Sequence, residues 1–270
     1  MPPIIPPGPA WPALALLRTG ENPLWFEFGA EGPSLIDHPS AATLTPYTPW
    51  PHARFVTGMQ TWEGFLVMAV NRDGFIILGP GSESGELVLY RVTDSALWDL
   101  YTAESFFIWD GRPTVLLYQN NFFSAPAAYP LPSLVFSLSK LHHAPLPTNI
   151  NAFDSFLQNW DAEVVRQGPG GHWYFRMIER AAERRVTAYF RTPDLAQEGT
   201  RISVTEWRNS DPRGLGDPDE SATAESFQLP ALPEGFTFSA VTLFENVIVA
   251  SWEEQRDASI AAAGFMVMAL

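Results

Sequence analysis

One phrase of turn and strand recurs along this chain, and it restricts the possible folds more than any other feature. Trp62-Glu63-Gly64 leads into the apolar run Phe65–Val70, then the turn Asn71–Gly74, then Phe75–Leu78. Trp109-Asp110-Gly111 leads into Thr114–Tyr118 and then the polar Gln119–Asn121. Gly170-Gly171 precedes His172–Ile178, and Glu245-Asn246 precedes Val247–Trp252. Asp73-Gly74 is a hairpin signal, because glycine takes a positive φ without steric cost. Short apolar strands repeated at this scale bury their faces against one another, as stacked or radial sheets.

The repeat has a measurable period. Leu24, Phe65, Thr114, Trp173 and Val247 each lead a strand of this kind, at intervals of 41, 49, 59 and 74 residues. The longer intervals contain insertions at 124–132, 141–159 and 208–226. Propeller blades run about 40–50 residues, so five units of this kind fit the chain. Strand character supports the same architecture. Antiparallel strands with one wet face alternate apolar and polar residues, whereas Phe65–Val70 and Val247–Ala250 do not alternate. They are expected to be buried on both faces, as inner blade strands are. The expected fold is therefore all-β: a β-propeller of five blades, each of about four antiparallel strands. The last group has three clear strands, so Ala13–Leu17 is expected to add the fourth and close the ring. An orthogonal barrel and two packed sandwiches are the competing architectures. Residues 1–13 form a proline-rich lead-in, and residues 14–270 a single domain. Short helical segments are expected at Ser95–Tyr101 and Asn151–Gln158, and a surface loop over 208–226.

These motifs resemble β-propellers in general over nearly the whole chain. The WD-repeat signature, the paired glycines of kelch repeats and the Asp-box of sialidase-type propellers are not present. Trp252-Glu253-Glu254-Gln255 and Gly264-Phe265-Met266-Val267 are similar to segments of uncharacterised bacterial propeller-like proteins, spirochaetal ones among them. The resemblance implies a fold and carries no activity with it.

Composition excludes several function classes. The net charge is −14, and Lys140 is the single lysine. No basic face is available to displace counterions from phosphates, so nucleic acid is not an expected partner. With no cysteine, thiolate catalysis, disulfides and Cys-based metal sites are ruled out. The apolar runs are shorter than the ~20 residues that a membrane-spanning helix needs. The N-terminus lacks the basic region of a signal peptide. Two localisations fit: cytoplasmic, or periplasmic or extracellular after removal of a signal segment.

Candidate chemistry gathers at the turns. Trp62, Glu63, Asp73, Trp109 and Asp110 flank the repeated strands, and Trp252, Glu253 and Glu254 end the last one. Tryptophan platforms beside carboxylates suit a glycan. The competing account makes Trp62 and Trp109 structural blade residues. For the Glu253-Glu254 pair, it has one carboxylate facing solvent and the other accepting turn hydrogen bonds. The five histidines show no metal-ligand spacing, and no motif calls for a cofactor or a metal. No complete catalytic constellation is visible. The leading expectation is a non-enzymatic interaction scaffold or ligand-binding propeller whose partner is another protein or a glycan. The alternative is a carbohydrate-binding or glycoside-active propeller.

Overall fold

The computed structural model describes residues 13–29, 32–40, 54–62, 64–71, 74–92, 101–109, 112–119, 134–137, 160–167, 173–179, 187–191, 194–208, 220–221, 225–256 and 259–270. Every regular element among them is a strand. In chain order these are β1 (Ala13–Arg18), β2 (Leu24–Gly29), β3 (Gly32–Ile36), β4 (Val56–Trp62), β5 (Phe65–Val70), β6 (Gly74–Pro80) and β7 (Glu86–Val92). Next come β8 (Tyr101–Trp109), β9 (Arg112–Gln119), β10 (Leu134–Ser137), β11 (Trp160–Gln167), β12 (Trp173–Glu179), β13 (Thr187–Arg191) and β14 (Asp194–Glu198). The last are β15 (Arg201–Thr205), β16 (Trp207–Arg208), β17 (Glu220–Ser221), β18 (Glu225–Gln228), β19 (Phe236–Phe244), β20 (Val247–Arg256) and β21 (Ser259–Ala269). Among the described residues, no helix is long and apolar enough to cross a membrane.

The chain divides into two compact units, one of residues 1–115, 138–150 and 232–270, the other of residues 116–137 and 151–231. The first unit holds two five-stranded antiparallel sheets, ordered β1-β7-β6-β5-β4 and β19-β20-β21-β2-β3. Each is a run of consecutive hairpins extended by N-terminal strands. The second unit holds the sheets β11-β12-β13 and β14-β15-β18 and the strand pair β16-β17. A further sheet has the order β10-β9-β8.

One apolar core joins the two large sheets. Leu66, Met68 and Val70 of β5 and Ile76 and Leu78 of β6 meet Val247, Val249, Phe265, Val267, Phe26 and Phe28. The alternate residues of β5 and β6, Phe65, Val67, Ala69, Phe75 and Ile77, are buried too, and β8 lies along β4 and β5. The non-alternating sequence of Phe65–Val70 thus has its expected cause, since both faces of the strand are covered. Asn71 closes the start of this sheet. Its amide N–H donates to the Phe55 carbonyl at 3.1 Å, and its side-chain oxygen accepts from the Phe55 N–H at 2.7 Å.

Strand pairing differs from the expectation in three respects. Ala13–Leu17 does not complete the last group. β1 pairs instead with β7, where Arg18 donates from Nη2 to Glu86 Oε1 at 2.9 Å and from Nε at 3.0 Å. The strand beside β21 is β2, held by the Leu24–Glu27 ladder and by Phe26, which stacks on Phe265 with ring centroids 4.6 Å apart. An N-terminal strand does complete the last group, but it is the next one along the chain. Second, Leu24 and Val247 share one sheet rather than leading separate units. Third, the unit that Trp173 leads divides into two sheets, β11-β12-β13 and β14-β15-β18. The segment 208–226, expected to be a loop, supplies β17 and the first residues of β18. Tyr101 opens β8 rather than ending a helical turn. Residues 95–100 and the helix expected over Asn151–Gln158 lie outside the described residues.

Candidate functional site

A buried polar arrangement in the first unit lies on β20, between β19 and β21. Alternation sends Val247 and Val249 into the shared core. Continuing along that face come Ser251, 1% exposed, and Glu253, 9% exposed. Across from them, β19 is interrupted by a bulge between Phe238 and Ala240, so Ser239 stands out of register. Bulges re-aim side chains, and this one brings Ser239 to β20. The Ser239 hydroxyl donates to the Glu253 carboxyl. Ser239 Oγ and Ser251 Oγ are 2.8 Å apart. Either hydroxyl can donate in that contact, and the Ser251 hydroxyl also lies 3.4 Å from the Ala240 carbonyl, to which it can donate instead. Burial pushes the Glu253 carboxyl above its ordinary value, and the Ser239 hydrogen bond opposes this without cancelling it. The result is a buried cluster of Ser239, Ser251 and Glu253 whose carboxyl keeps its proton to a higher pH than an exposed one. Such a cluster can fix a bulge or hold a proton.

The opposite face of the same sheet carries Trp252 and Glu254. Cross-strand register aligns Phe238, Trp252, Gly264, Glu27 and Ser34 in one row. Trp252 has no exposed surface, Glu27 is 4% exposed and Glu254 is 6% exposed. Gly264 is indispensable to this row. A Cβ there would stand 1.8 Å from the Phe26 carbonyl oxygen and 2.6 Å from Trp252 Cζ2. The indole therefore lies over a gap in the side-chain layer that only glycine leaves.

Of the candidates singled out in sequence, Trp252, Glu253 and Glu254 are interior, and their alternation on β20 separates Glu253 from the other two. Neither carboxylate faces solvent, contrary to the simplest expectation for an adjacent pair at a strand end. Trp252 is a core residue. Trp62 ends β4 and Trp109 ends β8; Glu63, Asp73 and Asp110 lie outside the described residues.

Ser239, Ser251 and Glu27 were not singled out in sequence. The available signal was a polar residue between apolar neighbours in each strand, which by itself does not say which strand it faces. Among the described residues, no group of three or more His, Cys, Asp or Glu is placed to hold a metal ion. No curated protein and no solved structure matches the chain. The sequence does match the family of unknown function DUF8086 over residues 17–212 and 217–270, and the chain belongs to that family.

Proposed function

We propose that this chain is a non-enzymatic interaction scaffold, built as a five-bladed propeller-like ring that binds another protein through exposed strand edges. Two features support the ring. Five sheets of three or more strands follow one another along the chain, and the last is completed by a strand from the N-terminal end. Tying both ends of a chain into one sheet is how radial sheets close.

The observation that carries the scaffold reading is the distribution of exposed leucines. Leu14 and Leu16 are 43% and 57% exposed on β1, and Leu35 is 63% exposed on β3. Both strands end their sheets in the described pairing. Edge strands with apolar side chains and open hydrogen-bonding edges accept a further strand from a partner. The glycan alternative has less support. Trp252, beside the Glu253-Glu254 pair, has no exposed surface to offer a sugar.

The test compares wild type with the Leu14→Lys/Leu16→Lys variant as bait, with captured proteins identified by mass spectrometry. Both side chains are exposed, so the variant should melt like wild type. A salt-resistant partner that wild type captures and the variant loses supports the reading. Equal capture by both removes β1 from it. No protein partner, together with a positive glycan array, overturns the scaffold in favour of the carbohydrate alternative.

A further inference from the structure

Glu253 sits where the ladder of the C-terminal sheet is broken on both sides. Toward β19, the register skips Ser239 between the pairs Phe238–Trp252 and Ala240–Ser251. Toward β21, Glu254 pairs with Ala262 and Gln255 with Ile260, so the register skips Ala261. Glu253 lies between these two levels and pairs with Thr237 and Ala263. A bulge leaves its extra residue unpaired and disrupts the hydrogen bonds around it. The strand ends that meet at Glu253 are therefore tied more loosely than the regular ladder from Val247 to Ala250.

The surroundings of this carboxyl favour its neutral form. β19 and β21 are packed against β20, and β4 against β19; none of these three strands contains a titratable residue. On β20 the other charged residues are Glu254, which alternation places on the opposite face, and Arg256 at the strand's end. No charge on a described residue contributes to the Glu253 shift; burial raises it and the Ser239 hydroxyl partly offsets this. A hydroxyl both donates and accepts, so it serves a neutral carboxyl as well as an ionised one. An ionised Glu253 therefore gains by reaching water. Its neighbour Thr237 is exposed, so water lies one strand away. β20 is held by a strand on each side, whereas β19 ends its sheet in the described pairing. The part of β19 before its bulge is the piece with the fewest ties to break.

We propose that Phe236–Ser239 is a proton-controlled arm, docked on β20 while Glu253 is protonated and released at the Ser239 bulge when Glu253 ionises. Release breaks the pairing of Phe236–Phe238 with Trp252–Glu254 and the hydrogen bond from the Gln255 N–H to the Gly235 carbonyl, 3.0 Å long. It uncovers Phe236 and Phe238, each 8% exposed when docked, and the Trp252 ring, whose centroid lies 5.9 Å from that of Phe236. The docked arm binds the proton more tightly than the released one. Release therefore grows as pH rises from the ordinary carboxyl value of 4.5 through the raised one, by up to about tenfold per pH unit, and levels off above. The device presents an apolar strand end at higher pH and hides it at lower pH.

Native-state hydrogen exchange of the full chain across a pH series tests this, with each amide expressed as a protection factor. Amides of residues 236–239 should be less protected than those of Val247–Ala250 at every pH, as local opening requires. Their protection should fall by up to about tenfold per pH unit across the window in wild type, and stay level in Glu253→Gln. Carbon-detected titration of the Glu253 carboxyl in wild type needs no variant, and should show its midpoint above 4.5 and within the same window. Equal protection of the arm and Val247–Ala250 overturns the proposal, since the arm would then open only with the whole sheet. So does arm protection that ignores pH in wild type, the same pH dependence in Glu253→Gln, or a carboxyl midpoint at or below the ordinary value.

Discussion

Replacing Gly264 by alanine probes the closest approach at any described glycine. The added Cβ would lie 1.8 Å from the Phe26 carbonyl oxygen and 2.6 Å from Trp252 Cζ2. The oxygen is backbone and cannot rotate away, so β2 must retreat from β21 by roughly 1.5 Å to restore van der Waals contact. Trp252, which is fully buried, must shift as well. Overpacking a tight interior costs about 1–3 kcal/mol. Weakening two ladder hydrogen bonds between β2 and β21 adds about 1 kcal/mol each. The sum is roughly 3–5 kcal/mol, or a fall in Tm on the order of 10 °C for a unit of this size. Gly20→Ala is the control. A Cβ at Gly20 meets nothing within 4 Å, and the substitution should be neutral or stabilise by up to about 1 kcal/mol. Thermal melts followed by far-ultraviolet circular dichroism compare the two. Adding Trp252→Leu to Gly264→Ala should give no rescue, because the carbonyl contact remains. Melting of Gly264→Ala close to wild type, or full rescue by Trp252→Leu, would refute the argument for close backbone approach.

The remaining predictions concern Glu253, the core and the N-terminal strands. Burial raises the Glu253 carboxyl above its ordinary 4.5 in the folded state, so the folded chain keeps a proton that the unfolded chain releases. Stability should therefore fall as pH rises from the ordinary value through the raised one. Chemical denaturation of Glu253→Gln should match wild type below that window and exceed it above; a difference independent of pH would sink this account. Leu66→Ala empties a site with no exposed surface, and should cost about 2–5 kcal/mol in denaturant titrations. Deleting residues 1–18 removes β1 and no other described strand, and should leave a folded protein with a lowered Tm. Deleting residues 1–36 also removes β2 and β3, including Phe26 and Phe28 of the shared core, and should abolish cooperative unfolding.

Local features of the sequence were enough to place individual strands. Phe65–Val70 coincides with β5, Trp173 starts β12 and Val247 starts β20. Apolar runs bounded by turn residues carry that information within a few residues. The lack of alternation in Phe65–Val70 also signalled correctly that both faces of β5 are covered, because only complete burial favours six consecutive apolar side chains. The candidate site was less legible. Glu253 and Glu254 look like an exposed pair at a strand end, and no neighbouring residue indicates that β20 continues to Arg256 between two partner strands.

Only the tertiary structure decided which strands meet. β1 and β2 have similar apolar character, yet one joins β7 and the other β21. That choice depends on groups distant in sequence: Glu86 for Arg18, and Phe265 with the space left by Gly264 for Phe26. The Ser239 bulge and the enclosure of the Trp252 indole have the same origin. Period and turn chemistry are properties of adjacent residues and can be read along a chain. Register and burial arise when segments far apart in sequence compete for the same hydrogen-bonding edge and volume, and only the folded chain settles that competition.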